Sequence, residues 1–343
     1  MTLSSLMRYA KVMVLILVSA PALHAQEAVV LVYHRFGEDN IASTNIRLDQ
    51  FEAQLDWLSA SGAHFPSLEN VITALQDKSP LPDKSVVFTV DDAYRSAALE
   101  AWPRLKARGI PMAIFVSTQA VDDSIPGYLS WDELRALKNE GVFIGFHGHS
   151  HRHMAYDTET KVMKDLREGI QRFATELGTI PPYFAYPYGE YGTALMEQIR
   201  DAGFEAAFAQ YSAATGVYSP LFALPRFAIN ERYGDLDRFK TLAFSRPMAV
   251  EVQEPADALI TQNPPLMRFR LMNLERGWRS MNCYPSHLGD AAELEIDEDG
   301  TITVDLEQPL PFGRSRVNCT YLGMDRRWRW FGQPFFVRGG ALD

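Results

Sequence analysis

The chain is short of positive charge, and this shortage narrows the classes of protein to which it can belong. Its 343 residues include 33 lysines and arginines against 43 aspartates and glutamates, a formal net charge of −10. Proteins that bind nucleic acid neutralise phosphates with clustered basic residues, so this balance argues against DNA or RNA as the partner. The composition is compatible with a neutral or cationic substrate, and it indicates no particular protein partner.

Long hydrophobic runs are also scarce. The one candidate, residues 14–18, follows Arg8 and Lys11, and A-L-H-A at 22–25 offers a cleavage site after Ala25. This pattern predicts a secretory signal at residues 1–25. The alternative is a membrane anchor, which the short run disfavours because a bilayer core is about 30 Å thick. We therefore expect an exported protein, periplasmic or extracellular, with no membrane span after signal removal.

Cysteine is also rare in the chain. Only Cys283 and Cys319 are present, both near the C-terminus. In an exported chain, two cysteines in one short region predict a single disulfide. The alternative is a pair of buried free thiols.

Strand-like and helix-like segments alternate between residues 28 and 209. Apolar runs predict strands at residues 28–33, 86–90, 111–116, 142–146, 183–186 and 204–208. Amphipathic stretches and caps predict helices between them, among them 96–108, one that opens at Ser130 and one over 162–177. Repeated strand–helix units indicate an α/β fold with a mostly parallel sheet, closed or open. Functional side chains then belong at the C-terminal ends of the strands.

The pattern of the sequence changes after about residue 247. Residues 251–265 hold three prolines and little periodicity. We therefore predict a catalytic domain at 26–248, a linker at 249–265 and a small β-rich domain at 266–343, with a hairpin turning at Asp299-Gly300. The tryptophans and arginines of this last region leave two interpretations open, a glycan-binding face or an ordinary β-sandwich core with basic edges.

Two neighbouring carboxylates, Asp91 and Asp92, follow the apolar run at 86–90. Successive side chains on an extended strand point in opposite directions, so one carboxylate can bind a metal while the other faces the bound water. The alternative is a surface turn, which the preceding buried run disfavours.

Four histidines stand within residues 147–153, H-G-H-S-H-R-H. His147 and His151 are four apart, and so are His149 and His153, so either pair could share a metal ion; a solvated histidine-rich loop is the alternative. One aspartate and two histidines give three protein ligands and an open position, which is the catalytic form of a zinc site.

These motifs resemble the polysaccharide deacetylase family of carbohydrate esterases, which includes chitin, peptidoglycan and poly-β-1,6-N-acetylglucosamine deacetylases. The resemblance covers roughly residues 29–242. It is carried by V-Y-H-R-F at 32–36, T-V-D-D-A-Y at 89–94, I-G-F-H-G-H-S-H at 144–151, F-A-Y-P-Y-G at 184–189 and L-P-R at 224–226. It implies a distorted (β/α) barrel of the polysaccharide deacetylase type, followed here by the small all-β domain.

The resemblance also implies roles for individual residues. Asp91 would be the general base, and the metal ligands would be Asp92, His147 and His151. The metal would be divalent, with Zn²⁺ expected first and Co²⁺, Ni²⁺ or Mn²⁺ as alternatives. We predict substrate contacts at Tyr94, Trp131, Tyr186, Pro187 and Tyr188; ordinary core packing is the alternative for the aromatic side chains.

The chain departs from the family pattern at several positions. Ala93 replaces the usual glycine, Gly148 replaces serine or threonine, and Ala185 stands where many members carry arginine. Arg226 is predicted to supply that missing charge.

The late histidine that serves as the general acid in many members is also missing. Beyond residue 153 the only histidine is His287, which lies in the other predicted domain. His34 is the predicted substitute, with a structural core histidine as the alternative.

The sequence therefore predicts an exported, metal-dependent hydrolase that removes acetyl groups from an N-acetylated polysaccharide. Two alternatives stay open. One is an O-deacetylase of an acetylated polysaccharide, which the same site would serve. The other is a catalytically inactive carbohydrate-binding protein. The departures from the family pattern, including the missing late histidine, are the grounds for this alternative.

Overall fold

The structure is a computed structural model that describes residues 26–38 and 41–339. The predicted signal segment, residues 1–25, lies outside the described residues. None of the helices in the described part of the chain combines the length and apolar character that a membrane crossing requires.

One curled, largely parallel sheet forms the first part of the molecule. Its strands are β1 Glu27–Tyr33, β4 Val86–Asp91, β5 Met112–Val116, β6 Phe143–Phe146, β7 Tyr183–Ala185, β8 Ala206–Phe208, β9 Thr215–Gly216 and β10 Phe227–Ala228, and a small ladder beside it joins β2 Arg35–Phe36 to β3 Asn45–Ile46. The strand order is β10-β1-β4-β5-β6-β7-β8, and β9 pairs antiparallel with β1. Every residue of β4 and β5 is buried, because a parallel sheet is covered on both faces.

The sheet curls on itself through residues 224–228. Leu224 exchanges hydrogen bonds of 2.9 Å with the β8 region, donating to Ala207 and accepting from Ala209. Four residues later, Ala228 pairs in parallel register with Val32 of β1. The same short segment therefore links the two ends of the sheet, and the predicted distorted α/β barrel is confirmed.

Helices cover the outside of this sheet. They are α1 Leu48–Ala60, α2 Leu68–Gln76, α3 Trp102–Ala107 (preceded by a π-helical turn, Ala97–Ala101), α4 Thr118–Asp122, α5 Trp131–Asn139, α6 Glu159–Leu177, α7 Thr193–Asp201 and α8 Leu236–Ala243. The predicted cap at the start of α5 is confirmed, since Ser130 and Glu133 form a reciprocal capping box. Helix α6 ends as predicted at Gly178, whose φ of 68° favours glycine.

The remaining strands form two smaller sheets. They are β11 Arg246–Pro247, β12 Val250–Glu254, β13 Leu259–Ile260, β14 Met267–Leu271, β15 Asn282–Pro285, β16 Leu294–Ile296, β17 Thr301–Val304, β18 Gly313–Leu322 and β19 Trp328–Val337. One sheet has the order β11-β19-β18-β15, with β13 also on β19, and the other has the order β12-β14-β17-β16. A hydrophobic cluster that includes Phe269, Ile302 and Phe335 fills the space between them. The predicted hairpin at Asp299-Gly300 joins β16 to β17.

The structure corrects the linker predicted at 249–265. Strand β12 pairs antiparallel with β14, and β13 pairs with β19, so these residues belong to the two sheets. Strand β12 lies at the edge of its sheet and four of its five side chains are exposed. An edge strand whose side chains are mostly exposed does not need an alternation of hydrophobic and polar residues. Its sequence can therefore resemble that of a linker. The domain boundaries themselves stay predictions.

The predicted disulfide is present. Cys283 of β15 and Cys319 of β18 stand directly opposite each other in antiparallel register, and their sulfurs are bonded. The bridge joins two strands that are 36 residues apart in sequence and lies in the buried core of this region.

Candidate metal centre and active site

The predicted site residues converge at one edge of the curled sheet. Asp91 is the last residue of β4 and Asp92 follows it, while His147 comes directly after β6 and His34 directly after β1. Because these strands are parallel neighbours, their C-terminal ends lie side by side. The turns there are tight: Asp92 and His151 have φ values of 72° and 50°, in the left-handed region.

Asp92, His147 and His151 point their ligand atoms at one another. The Oδ1 atom of Asp92 lies 3.3 Å from Nε2 of His147 and 3.1 Å from Nε2 of His151. These are the described residues whose donor atoms cluster tightly enough to hold a metal ion. Asp92 Oδ1 is buried and makes no hydrogen bond to the described residues, even though the two ring nitrogens are near. An orphaned carboxylate oxygen facing two imidazoles fits a divalent metal as the missing partner.

The tautomer of His147 is set by its other ring nitrogen. Nδ1 lies 2.7 Å from the carbonyl oxygen of Ala185, to which it donates its hydrogen. That hydrogen bond leaves the lone pair of Nε2 free to face Asp92, which is the arrangement of a metal-binding histidine.

The electrostatics of the site favour ionised carboxylates. Burial alone would raise the pKa of Asp92, but the facing rings of His147 and His151 outweigh burial and hold its pKa well below the usual range. Burial likewise opposes the charged form of His147, but Asp91 and Asp92 together raise its pKa. The site therefore presents negative charge that a bound cation would neutralise.

Asp91 lies near His147 but pairs with Arg226. The two guanidinium Nη atoms donate to the two carboxylate oxygens at 2.7 Å each, and both side chains are buried. Arg226 is held in turn by Thr89 Oγ1 at 3.2 Å and by the carbonyl oxygen of Ala209 at 3.0 Å. Burial would raise the pKa of Asp91, and Arg226 with His147 lowers it below the usual range instead. Arg226 thus places a positive charge beside Asp91, and its substitution for the arginine absent at position 185 stays a prediction.

His34 lies close enough to both aspartates to interact with them electrostatically. Burial lowers its pKa, and Asp92 and Asp91 offset that effect only in part. The imidazole is therefore neutral at pH 7 in the resting site. This matters for its predicted role, because a neutral imidazole is a weaker proton donor than an imidazolium.

The alternative histidine pair does not assemble. His149 directs Nδ1 to Thr118 Oγ1 at 2.7 Å. His153 directs Nδ1 to a carboxylate oxygen of Glu190 at 2.7 Å, and its ring stacks on Tyr188 with centroids 3.7 Å apart. These two histidines therefore have separate partners, while His147 and His151 share Asp92.

One residue that the sequence did not single out fixes the histidine loop. Asp165, buried on α6, accepts hydrogen bonds from the backbone N–H of His149 at 2.7 Å and of Ser150 at 3.1 Å. Its second oxygen also accepts from the Ser150 hydroxyl. The only signal in the sequence was an aspartate among the buried positions of an amphipathic helix, where an unpaired carboxylate would be costly.

The predicted substrate contacts divide into two groups. Tyr94 lines a cleft of about 200 Å³ beside Asp92 and His151, and Tyr188 packs edge-on against His151 with centroids 4.5 Å apart. Tyr94 is as buried as Trp131, but Trp131, Tyr186 and Pro187 are buried and do not line this cleft.

The buried group corrects part of the prediction. Trp131 donates its Nε1 hydrogen to Asp122 and packs on Phe173. Tyr186 is fully buried and its hydroxyl donates to the carbonyl oxygen of Phe222. Both aromatic rings therefore belong to the core and have no free face for a sugar; the alternative of ordinary packing holds for them.

The chain is similar to polysaccharide deacetylases in sequence and in fold. Residues 78–207 match the family model described as polysaccharide deacetylase. A putative polysaccharide deacetylase, YxkH, of Bacillus subtilis is 22% identical over 202 residues, which cover 59% of this chain and 71% of the relative. The poly-β-1,6-N-acetyl-D-glucosamine N-deacetylase of Staphylococcus aureus (strain MRSA252) is 24% identical over 212 residues, which cover 58% and 73%.

Solved structures agree on the fold. IcaB from Ammonifex degensii superposes with a TM-score of 0.56 at 27% identity, over 64% of this chain and 97% of that one. The deacetylase PplD of Streptococcus pyogenes, in complex with acetate, gives a TM-score of 0.59 at 20% identity, over 64% and 99%.

Proposed function

Because this chain belongs to the polysaccharide deacetylase family, as its motifs predicted, we propose that it hydrolyses acetyl groups from a polysaccharide of the N-acetylglucosamine type. The observation that carries this proposal is the separation of two adjacent carboxylates. Asp92 faces two histidines with an orphaned oxygen, and Asp91, near His147, is held in a buried pair with Arg226. Such a pair supplies a metal ligand and a base from neighbouring positions.

Asp92, His147 and His151 would hold the metal, and Zn²⁺ is the ion we expect first because it favours histidine and carboxylate ligands. When bound, such a metal polarises an acetyl carbonyl and lowers the pKa of a coordinated water towards ~7. The three ligands come from two turns at strand ends, and Asp165 accepts backbone hydrogen bonds from the turn that carries His151.

Asp91 is the proposed general base. It is ionised at neutral pH, since Arg226 and His147 lower its pKa despite burial. It would accept a proton from the attacking water, and Arg226 would keep the carboxylate fixed while it does so. Tyr188 sits in a left-handed turn beside His151, and its backbone N–H is our candidate donor to the oxyanion.

His34 is the proposed proton donor to the leaving amine. Its ring is neutral in the resting site because burial lowers its pKa. The neutral ring would first take up the proton that Asp91 removes from the water, and the resulting imidazolium would donate a proton to the leaving amine and return to its neutral form; the negative charge of Asp92 favours that charged form. This assignment predicts that His34→Ala slows acetate release without loss of metal.

The polymer and the compartment are also proposals. The curated relative from S. aureus acts, by its name, on poly-β-1,6-N-acetyl-D-glucosamine, which supports an N-acetylated glycan as the substrate. The disulfide between Cys283 and Cys319 supports an exported protein, since disulfides persist in oxidising compartments. A periplasmic or extracellular enzyme would meet such a polymer.

Acetate release across paired substrates tests the function. The full chain with added Zn²⁺ should release acetate from β-linked N-acetylglucosamine oligomers and leave O-acetylated xylan oligomers largely untouched. The Asp91→Asn variant is the matched control, because it removes the base and keeps the metal ligands. Release from the O-acetylated oligomers alone would overturn N-deacetylation, and release from neither would overturn the enzyme proposal.

A further inference from the structure

A second cavity lies between the curled sheet and the C-terminal sheets. Its volume is about 420 Å³, and it shares no lining residue with the cleft beside Asp92 and His151. One wall comes from the segment after β10 and from α8. The opposite wall is one face of β15, β18 and β19, where Arg316, Asn318 and Thr320 alternate with the buried Val317, Cys319 and Tyr321. Because alternate side chains of a strand point to the same face, these three polar side chains all face the cavity.

Two arginines give this cavity a positive character. Arg316 donates to the hydroxyl of Tyr233 over a long 3.4 Å, and Arg238 lies over the same ring, 4.9 Å from its centroid. Neither guanidinium forms an ion pair with any described residue, and no aspartate or glutamate is among the described residues that line the cavity. In the same sheet Arg329 does form ion pairs, with Glu275 and Asp325.

Arg316 is exposed, whereas Arg238 is partly buried and has no ionic partner among the described residues. Burial lowers the pKa of Arg238, and the nearby charge of Arg316 adds to that effect although Tyr233 opposes it. The charge of a desolvated cation is normally compensated by a carboxylate or another anion. Here the protein supplies none, so the geometry favours an anion from outside.

Aromatic side chains accompany these arginines. Trp328 and Trp330 of β19 and Tyr284 of β15 line the cavity, and about half of the surface of Tyr284 (46%) is exposed. Trp330 also donates its Nε1 hydrogen to Asn318 at 3.3 Å, which fixes its ring. Rigid aromatic faces beside arginines and an amide are what a sugar ring with a charged substituent needs: apolar ring faces stack, and the forked guanidinium binds the acid group.

The fully buried Arg226 lies between this cavity and the candidate active site. It lines the cavity and at the same time makes the two 2.7 Å hydrogen bonds to Asp91. We propose that the cavity is a subsite for an acidic sugar of the polysaccharide, whose carboxylate binds Arg316 and Arg238 while a neighbouring N-acetylated unit lies at the metal site. That the glycan bound here is also the substrate rests on the proposed function. That the cavity binds an acidic sugar is independent of it.

Direct binding to metal-stripped full-length protein tests the proposal without any turnover. The probes are a hyaluronan tetrasaccharide, which alternates N-acetylglucosamine with glucuronate, and chitotetraose, which has the same length and no charge. Calorimetry should show the acidic probe binding at least about tenfold more tightly, the scale of one charge-assisted hydrogen-bonded contact. The Arg316→Gln variant should lose that preference, and Arg316→Lys should keep part of it.

The control is Arg268→Gln. Arg268 is also an exposed arginine on a strand without an ion pair, but it lies on β14 and does not line the cavity. It should keep the full preference. Thermal unfolding of each variant separates a lost contact from a lost fold.

Two results would overturn the subsite. Equal affinity for the two tetrasaccharides would show that the cavity does not recognise an acidic sugar. If folded Arg316→Gln still prefers the acidic tetrasaccharide, the proposed role of Arg316 would be contradicted as well. Inorganic phosphate that binds as tightly as the acidic tetrasaccharide would reduce the site to a simple anion site and contradict the role of the sugar. Because the assay needs neither metal nor catalysis, failure of acetate release leaves this result intact, and the two proposals fail separately.

Discussion

Arg226 and Asp91 form a two-pronged ion pair, with two N–H···O distances of 2.7 Å, at a place where neither side chain meets solvent. A buried pair of this kind contributes less net stability than its short distances suggest, because both ions are desolvated. Its clearer consequence is geometric. The two hydrogen bonds from Arg226 hold the carboxylate of Asp91 in one orientation.

The first prediction follows from that pair. Arg226→Gln should leave the Asp91 carboxylate buried without its counterion and destabilise the fold by about 3–5 kcal/mol, the usual cost of breaking a buried ion pair. Acetate release should fall by roughly 10²-fold, as expected when a reacting group shifts by about 1 Å. Urea unfolding and initial rates measure the two effects. A variant with unchanged stability and rate would contradict the role of Arg226.

The two aspartates should respond differently to the same substitution. Asp91→Asn should keep the bound metal and lose rate by roughly 10²–10⁴-fold, the range for a positioned base. Asp92→Asn should lose the metal, because its orphaned Oδ1 is the proposed ligand. Metal content by mass spectrometry, compared at equal folded fraction, distinguishes them. The reverse pattern would mean that the roles of the pair are exchanged.

Asp165 should act as a positioning residue for the histidine loop. Asp165→Ala removes the acceptor of two backbone N–H groups and of the Ser150 hydroxyl. We expect metal affinity to fall by about 10–100-fold, as for other groups that orient ligands. Glu168→Gln is the control: it changes an exposed carboxylate on the same helix and should leave the affinity unchanged. Equal affinities for the two variants would show that Asp165 has only a structural role.

The disulfide should stabilise the smaller sheets and leave the metal centre alone. Replacing both Cys283 and Cys319 with alanine opens a loop of 36 residues and should cost ~3–4 kcal/mol in the chain-entropy model. The effect should appear in hydrogen exchange of β15 and β18, since these strands carry the bridge. Loss of metal binding in this variant would contradict the separation of the two regions.

Much of the candidate metal site could be located from the sequence because its residues follow apolar strands. A buried run such as 86–90 predicts where a strand ends, and parallel strands end at a common edge, so Asp92 and His147 were expected together. The choice of His151 over His153 came from the family motif. It agrees with the separate partners that His149 and His153 have in the structure.

Other features could not be predicted because they depend on contacts between distant segments. Trp131 and Tyr186 stand beside motifs, but only packing against Phe173 and the carbonyl of Phe222 shows that they face the core. Asp165 binds a loop 15 residues away, and nothing in its local pattern names that partner. Strand β12 gave no alternation because most of its side chains are exposed.

Zinc add-back tests the central claim most directly. Protein stripped of metal with a chelator should release no acetate from N-acetylglucosamine oligomers, and activity should return in proportion to Zn²⁺ up to one ion per chain. His151→Ala should fail to recover at the same zinc concentration, whereas His149→Ala, which alters a histidine of the same loop outside the ligand set, should still bind one ion. Full activity in metal-free protein, or one tightly bound zinc in His151→Ala, would contradict the account.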